Sequence, residues 1–267
     1  MPFLGGGGSR RARSVAVLLA AAVAAPATGL HAQEGDPVRG LALLVATRDS
    51  LPRQVGNGLR CVSCHLDNGT RPYAMPWSGV TQRYPKYRAR SGTVESLAYR
   101  VNDCFRRSLN GAPLDTNGRA MRDILAYLRG LPALPVGHGG GAGLGVDSLD
   151  PAVVGRPVAG RAVYARSCAR CHGSTGAGDS TFNAPALWGP RSYNVGAGMA
   201  RVRVLGAFVH RHMPYDRPGT LTVQEAADVA RWINGRPRPD FREKINDWPN
   251  GDAPPDVPYK TRGRSKP

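Results

Sequence analysis

The chain has 267 residues, 36 Lys and Arg against 19 Asp and Glu, and a formal charge of +17. Its 34 glycines and 23 prolines stay below the level of a low-complexity chain, so disorder throughout and a collagen repeat are excluded, while long loops are expected. Five cysteines are an odd number, so they cannot all pair within the chain, and Trp 4, Tyr 9 and Phe 5 leave little aromatic bulk to fill a core.

The N-terminus reads as a targeting segment. Arg10, Arg11 and Arg13 precede the apolar run Val15 to Ala25, which is too short to span a bilayer. Small residues follow, and cleavage is expected after Ala32. Residues 1–32 are therefore expected to be a secretory signal peptide, and no later stretch is long and apolar enough to cross a membrane. The expected location is periplasmic and soluble.

Beyond this segment the chain is written twice. Cys61-Val-Ser-Cys64-His65 and Cys168-Ala-Arg-Cys171-His172 repeat the pattern C-x-x-C-H. A C-x-x-C pair alone could be a redox disulfide or half a zinc site. Two copies of C-x-x-C-H behind a signal peptide instead point to two covalently bound haem c groups. Two thiols one helical turn apart can add to the two vinyl groups of a porphyrin, and the next histidine can then reach the iron. The haems also supply the apolar bulk that small domains lack.

Around these motifs the apolar spacing predicts helices near Gly160–Tyr164, Met121–Leu131 and Val223–Ile233, the last with a Thr222/Glu225 capping box. The expected architecture is all-α: cytochrome c-like domain 1 at 33–134, a Gly/Pro-rich linker at 135–158, domain 2 at 159–236 and a Pro-rich tail at 237–267. His138, in the linker, is expected to be solvated. The tail either wraps over a domain or stays mobile.

Each iron needs a second axial ligand. In the second half the candidate is Met213, before Pro214, with Met199, His210 and His212 as competitors. The first half offers no comparable methionine. It offers Cys104, on a helix that Thr93 would cap, beginning at Val94 and ending at Gly111, with Leu97, Val101, Cys104 and Ser108 on one face. The bland alternative is a small buried hydrophobe. Arg100, Arg106 and Arg107 are expected to lower the thiol pKa. The basic run from Arg83 to Arg107 is either a solvated face or a site for a small tetrahedral oxyanion. Nucleic acid is not an expected partner.

Asn102-Asp-Cys-Phe-Arg-Arg-Ser-Leu-Asn-Gly111, Pro185-Ala-Leu-Trp-Gly-Pro-Arg-Ser-Tyr-Asn194, Gly196-Ala-Gly-Met199, Met213-Pro214 and Asp247-Trp-Pro-Asn-Gly251 together resemble the dihaem c-type thiosulfate dehydrogenases. The resemblance covers nearly all of the chain after residue 32. It implies His65/Cys104 ligation of haem 1 and His172/Met213 ligation of haem 2. It further implies a pocket lined by Arg90, Arg100 and Ser108, where two thiosulfates become tetrathionate, some members favouring the reverse. The electrons would leave for an external acceptor such as another c-type cytochrome. One departure stands at the residue before the methionine, which is lysine or asparagine in the family. Here it is His212, which either competes for the iron or points to solvent. The rival reading is a dihaem electron carrier without a substrate.

Overall fold

The computed structural model describes residues 1–6, 35–133, 143–147 and 149–263. The expected signal run at 15–25, the Ala32 cleavage site, and His138 with most of the glycine run lie outside these residues. Among the described residues six longer helices carry the fold: α1 (Pro37–Val45), α2 (Leu97–Arg107), α3 (Arg119–Gly130), α4 (Pro157–Ser167), α5 (Val202–His212) and α6 (Val223–Asn234). A short antiparallel pair, β1 (Lys86–Arg88) and β2 (Thr93–Glu95), stands before α2. No described helix is long and apolar enough to cross a membrane.

Each half is a first helix crossed over a closing helix, α1 on α3 and α4 on α6. The two crossings are built alike. Asp36 caps α1 by accepting from the Val38 and Arg39 amides, and a proline opens both α1 and α4, where its missing N–H costs nothing. The Asp36 amide donates to Asp123 Oδ1 at 2.8 Å, and the Arg156 amide donates to Asp228 Oδ1 at 2.8 Å. Gly40 and Gly160 let the backbones touch: a Cβ on either would lie 2.0 Å from the carbonyl oxygen of Asp123 or Asp228. The motif Pro-Val-x-Gly that starts both helices is thus a second internal repeat.

The closing helices agree with their apolar spacing, and the Thr222/Glu225 capping box on α6 is formed. Its first helix α4 begins at Pro157, so the last two linker residues are already helical. The segment before Cys104 departs from expectation. Thr93 is no cap: Thr93–Glu95 pairs with Lys86–Arg88, Ser96 takes the N-cap role by accepting from the Tyr99 amide, and α2 ends at Arg107 rather than near Gly111. Pairing within the short β1–β2 hairpin took Thr93 out of the helix and left Ser96 at its start.

One apolar core runs through both halves, from Leu43, Met121 and Ile124 to Tyr164, Phe208, Val229 and Ile233. Fully burying such side chains contributes about 1.5–3 kcal/mol each. Polar bridges join the halves as well. Asn57 Nδ2 donates to the carbonyls of Ser108 at 2.8 Å and Ser192 at 3.1 Å, and Asn194 Nδ2 donates to the Arg106 carbonyl at 2.9 Å. The tail wraps: the Val195 amide donates to Pro239 O, and the Trp248 amide donates to Arg90 O.

Candidate haem and substrate site

Both C-x-x-C-H motifs run over short helical turns, Cys61–Ser63 with Cys64 at its end and Ala169–His172 with Cys168 at its start. All five thiols are free, and among the described residues no group of three or more His, Cys, Asp or Glu could hold a metal. Burial pushes the Cys61 and Cys64 thiols up to about 12 and Cys168 up to about 11.

The histidines are held as iron ligands need to be. His65 Nδ1 meets the Met75 carbonyl at 2.6 Å, and His172 Nδ1 meets the Pro185 carbonyl at 2.9 Å. An Nδ1–H bound to a carbonyl fixes the tautomer and leaves Nε2 with its lone pair for a metal. Burial pulls His65 down to about 4 and lowers His172 as well, so both rings are neutral near pH 7.

A cavity of about 760 Å³ opens beside His172. Cys168, Cys171 and His172 line one part of its wall, and Met199, Leu205, Phe208, Val209 and Met213 another. Its size and apolar lining fit a haem, within the ~300–1,000 Å³ range of ligand pockets. Leu59, Val62 and Cys64 line it too, so the backbone of the first motif borders the pocket of the second.

The competing ligands separate by position. Met213, at the C-terminal end of α5, and Met199, buried in the core, both line this cavity. His210 turns its Nδ1 to the Leu221 carbonyl, and neither His210 nor His212 is on the cavity wall. His212 does not point to solvent. It is 3% exposed, packs against Phe208 with ring centroids 5.1 Å apart, and lies beside the Tyr73 backbone of the other half, with its Nε2 buried and without a hydrogen-bond partner among the described residues. A longer lysine at this place could reach out of such packing, whereas the short imidazole is enclosed by it.

In the first half, α2 carries Cys104 to the C-x-x-C-H motif. Its sulfur lies close enough to Cys61 and Cys64 to raise both thiols electrostatically. Arg100, one turn earlier, donates to Cys104 Sγ at 3.1 Å. Cys104 and Asp103 raise the Arg100 pKa, outweighing burial. Ser108 stands one turn later, with its amide on the Cys104 carbonyl at 2.8 Å. Its hydroxyl has no partner among the described residues.

The three arginines expected to act on Cys104 do different things. Arg107 is spent on Asp103 at 2.5 Å and on both oxygens of Asp247 at 2.7 and 2.8 Å. Arg106 lines a separate hollow of about 300 Å³ with Asn110 and Arg242. Only Arg100 touches the sulfur. Arg90, in the β1–β2 turn, donates to the Gly196 carbonyl at 2.7 Å and has no carboxylate partner among the described residues. Burial and the nearby Arg107 pull its pKa down, against the opposing pull of Tyr259, Asp247 and Asp103. The sequence had not singled out Asp247 and Trp248 as parts of this site; the Asp-Trp-Pro-Asn-Gly run in a polar tail was the available signal.

Comparison with known proteins agrees with this layout. Residues 53–132 match the family model "SoxA/TsdA, cytochrome c domain", and residues 155–233 match "Cytochrome C oxidase, cbb3-type, subunit III". The thiosulfate dehydrogenase of Psychrobacter arcticus is 41% identical over 224 residues, which is 82% of this chain and 68% of that protein. That of Allochromatium vinosum is 41% identical over 219 residues, 79% of this chain and 81% of the relative. Among solved structures, thiosulfate dehydrogenase (TsdBA) from Marichromatium purpuratum matches with a TM-score of 0.70 and 39% identity. That match covers 77% of this chain and 46% of the other, so this chain spans less than half of that longer protein. Two haem-binding cytochrome c domains, packed about one core and aligned with the Psychrobacter and Allochromatium relatives over most of their length, make the chain a member of the thiosulfate dehydrogenase family.

Proposed function

We propose that this chain joins two thiosulfates into tetrathionate at Cys104, with two haem c groups attached through Cys61/Cys64 and Cys168/Cys171. The observation that carries the reading is Arg100 on the Cys104 sulfur at 3.1 Å, beside the first pair of anchoring cysteines. The rest is supported by the named relatives. When bound, haem c supplies one-electron redox chemistry, with His65 and Cys104 holding the first iron and His172 and Met213 the second.

The work of the chain's own residues follows from charge. Thiosulfate is a dianion, and Arg90 and Arg100 draw it to the sulfur by charge-assisted hydrogen bonds. Ser108 offers a hydroxyl to the same space. The thiosulfate sulfane sulfur bonds to the Cys104 sulfur as two electrons leave, giving a Cys–S–S–SO₃⁻ adduct. A second thiosulfate attacks the sulfane atom of that adduct. The new S–S bond completes tetrathionate, and the bond to Cys104 breaks to return its thiolate. The net reaction is two thiosulfates to one tetrathionate and two electrons, delivered to an external acceptor such as a c-type cytochrome. Run backward, it is a tetrathionate reductase.

The boundaries expected above go with this reading: an exported periplasmic protein, domains at 33–134 and 159–236, a linker at 135–158 and a tail at 237–267. Cys104→Ala is the test. It should abolish thiosulfate-dependent acceptor reduction while the haem content per chain is unchanged. Retained turnover in that variant refutes the mechanism and favours the plain electron carrier.

A further inference from the structure

We infer that Trp248, in the C-terminal tail, is a positioning residue that fixes the Arg90 guanidinium for oxyanion binding. The inference rests on the reading of Arg90 as a substrate residue and says what makes that residue competent.

Arg90 sits in a tight turn between two three-residue strands, a poor platform for a long, freely rotating side chain. The tail grips this turn at several points. The Trp248 amide donates to the Arg90 carbonyl at 2.7 Å, and the Arg90 guanidinium lies over the Trp248 ring at 4.7 Å. Asn250 Nδ2 donates to the Tyr87 hydroxyl at 3.0 Å on one side of the turn. On the other, Pro249 fills the space beside Gly92, where a Cβ would come within 2.6 Å of its ring.

Trp248 is held against its own preference. Its φ is 51°, the left-handed region that a bulky aromatic rarely occupies, and its residue is 4% exposed. Strain of this kind persists where the surroundings over-determine a conformation, and such places cluster at ligand clamps. Here the surroundings are partly the site itself. The Asp247 side chain binds Arg107 through both oxygens and accepts from the Tyr259 hydroxyl at 2.6 Å, which anchors the backbone one residue before the tryptophan.

The geometry leaves Arg90 usable. Ring stacking occupies the face of a guanidinium and not its edge, where the donors are. One edge nitrogen is committed to Gly196 O at 2.7 Å. The remaining Arg90 donors have no partner among the described residues and can take a tetrahedral oxyanion. A loose arginine would have to be ordered each time an anion bound, and that cost would fall on affinity.

The experiment compares Trp248→Leu, which keeps most of the buried apolar volume but lacks the aromatic face, with Trp248→Phe, which restores a face. The readouts on the haem-loaded protein are KM and kcat for thiosulfate and the inhibition constant for sulfate, a dianion without a sulfane sulfur. Trp248→Leu should raise KM and the sulfate constant together by about tenfold, with kcat within about twofold. Trp248→Phe should return both to within about twofold of the parent. In an Arg90→Ala background, Trp248→Leu should add nothing further, because its effect passes through Arg90. An unchanged KM in Trp248→Leu, beside a raised KM in Arg90→Ala, overturns the positioning role alone. Independent, multiplying effects of the two changes also overturn it. An unchanged KM in Arg90→Ala removes the pocket role of Arg90 itself.

Discussion

Replacing Asp247 by alanine tests whether the tail is structurally bound to the first domain. The change deletes three hydrogen bonds to one carboxylate: two from Arg107 at 2.7 and 2.8 Å and one from Tyr259 at 2.6 Å. The Arg107 side chain is 11% exposed and that of Asp247 5%, so water cannot readily replace the lost partner. Charge-assisted bonds contribute about 1.5–3 kcal/mol each, which bounds the loss at about 9 kcal/mol. Arg107 is not abandoned, however. It keeps Asp103 at 2.5 Å and the face of Phe241 at 4.4 Å. The expected loss is therefore about 3 kcal/mol, the lower end for breaking a buried pair. Asp247→Asn keeps the shape and one acceptor and should lose about half of that. Urea unfolding of the haem-loaded protein, followed by tryptophan fluorescence with an unchanged m-value, measures both. A loss below about 1 kcal/mol for Asp247→Ala, the level of an exposed ion pair, would refute the reasoning.

The helix crossings and the buried acids make two further predictions. Gly160→Ala should destabilise by about 1–3 kcal/mol despite the better helix propensity of alanine, because its Cβ would meet Asp228 O at 2.0 Å. Gly130→Ala, with nothing within 4 Å, should be neutral or stabilising, and a raised melting temperature in Gly160→Ala would show that the close approach is not forced. Burial pushes the Asp103 carboxyl up, but Arg107 and Arg100 outweigh it and hold the pKa below its ordinary 3.8. A group depressed in the folded state contributes stability above its unfolded pKa and loses it as pH falls through the folded value. Acid titration from about pH 4 to 2 should thus be steeper in the parent than in Asp103→Asn, and identical acid limbs would exclude this contribution.

Local features were the ones legible in the sequence. The Thr222/Glu225 box and the apolar spacing of the closing helices act over a few residues, and both appear in the structure as read. The expected Thr93 cap did not form, because the hairpin pairing of β2 with β1 took that residue and Ser96 caps α2 instead. His212 likewise could not be read from its neighbours: the Tyr73 backbone and Phe208 that enclose it come from opposite halves. The tail was the least legible part. Its partners Arg90 and Arg107 lie far back in the chain, and nothing in a Pro-rich composition encodes them.

The same distinction explains why net charge was a poor guide to the site and position a good one. The basic run from Arg83 to Arg107 invited two readings, a solvated face or an anion site, and the structure divides it residue by residue. Arg83 donates to the Ser78 carbonyl at 2.9 Å, Arg88 faces the buried Glu95 at 4.0 Å, and Arg107 is consumed by Asp103 and Asp247. These cations hold the first domain and its tail together. Arg100 is left on the Cys104 sulfur and Arg90 without a carboxylate. On the function proposed above, an anion entering here would meet two guanidinium groups and a thiol. The paired arginines behind them keep that arrangement rigid, because Asp103 is shared between Arg107 and Arg100. Charge used for structure thus aims the charge left over for chemistry.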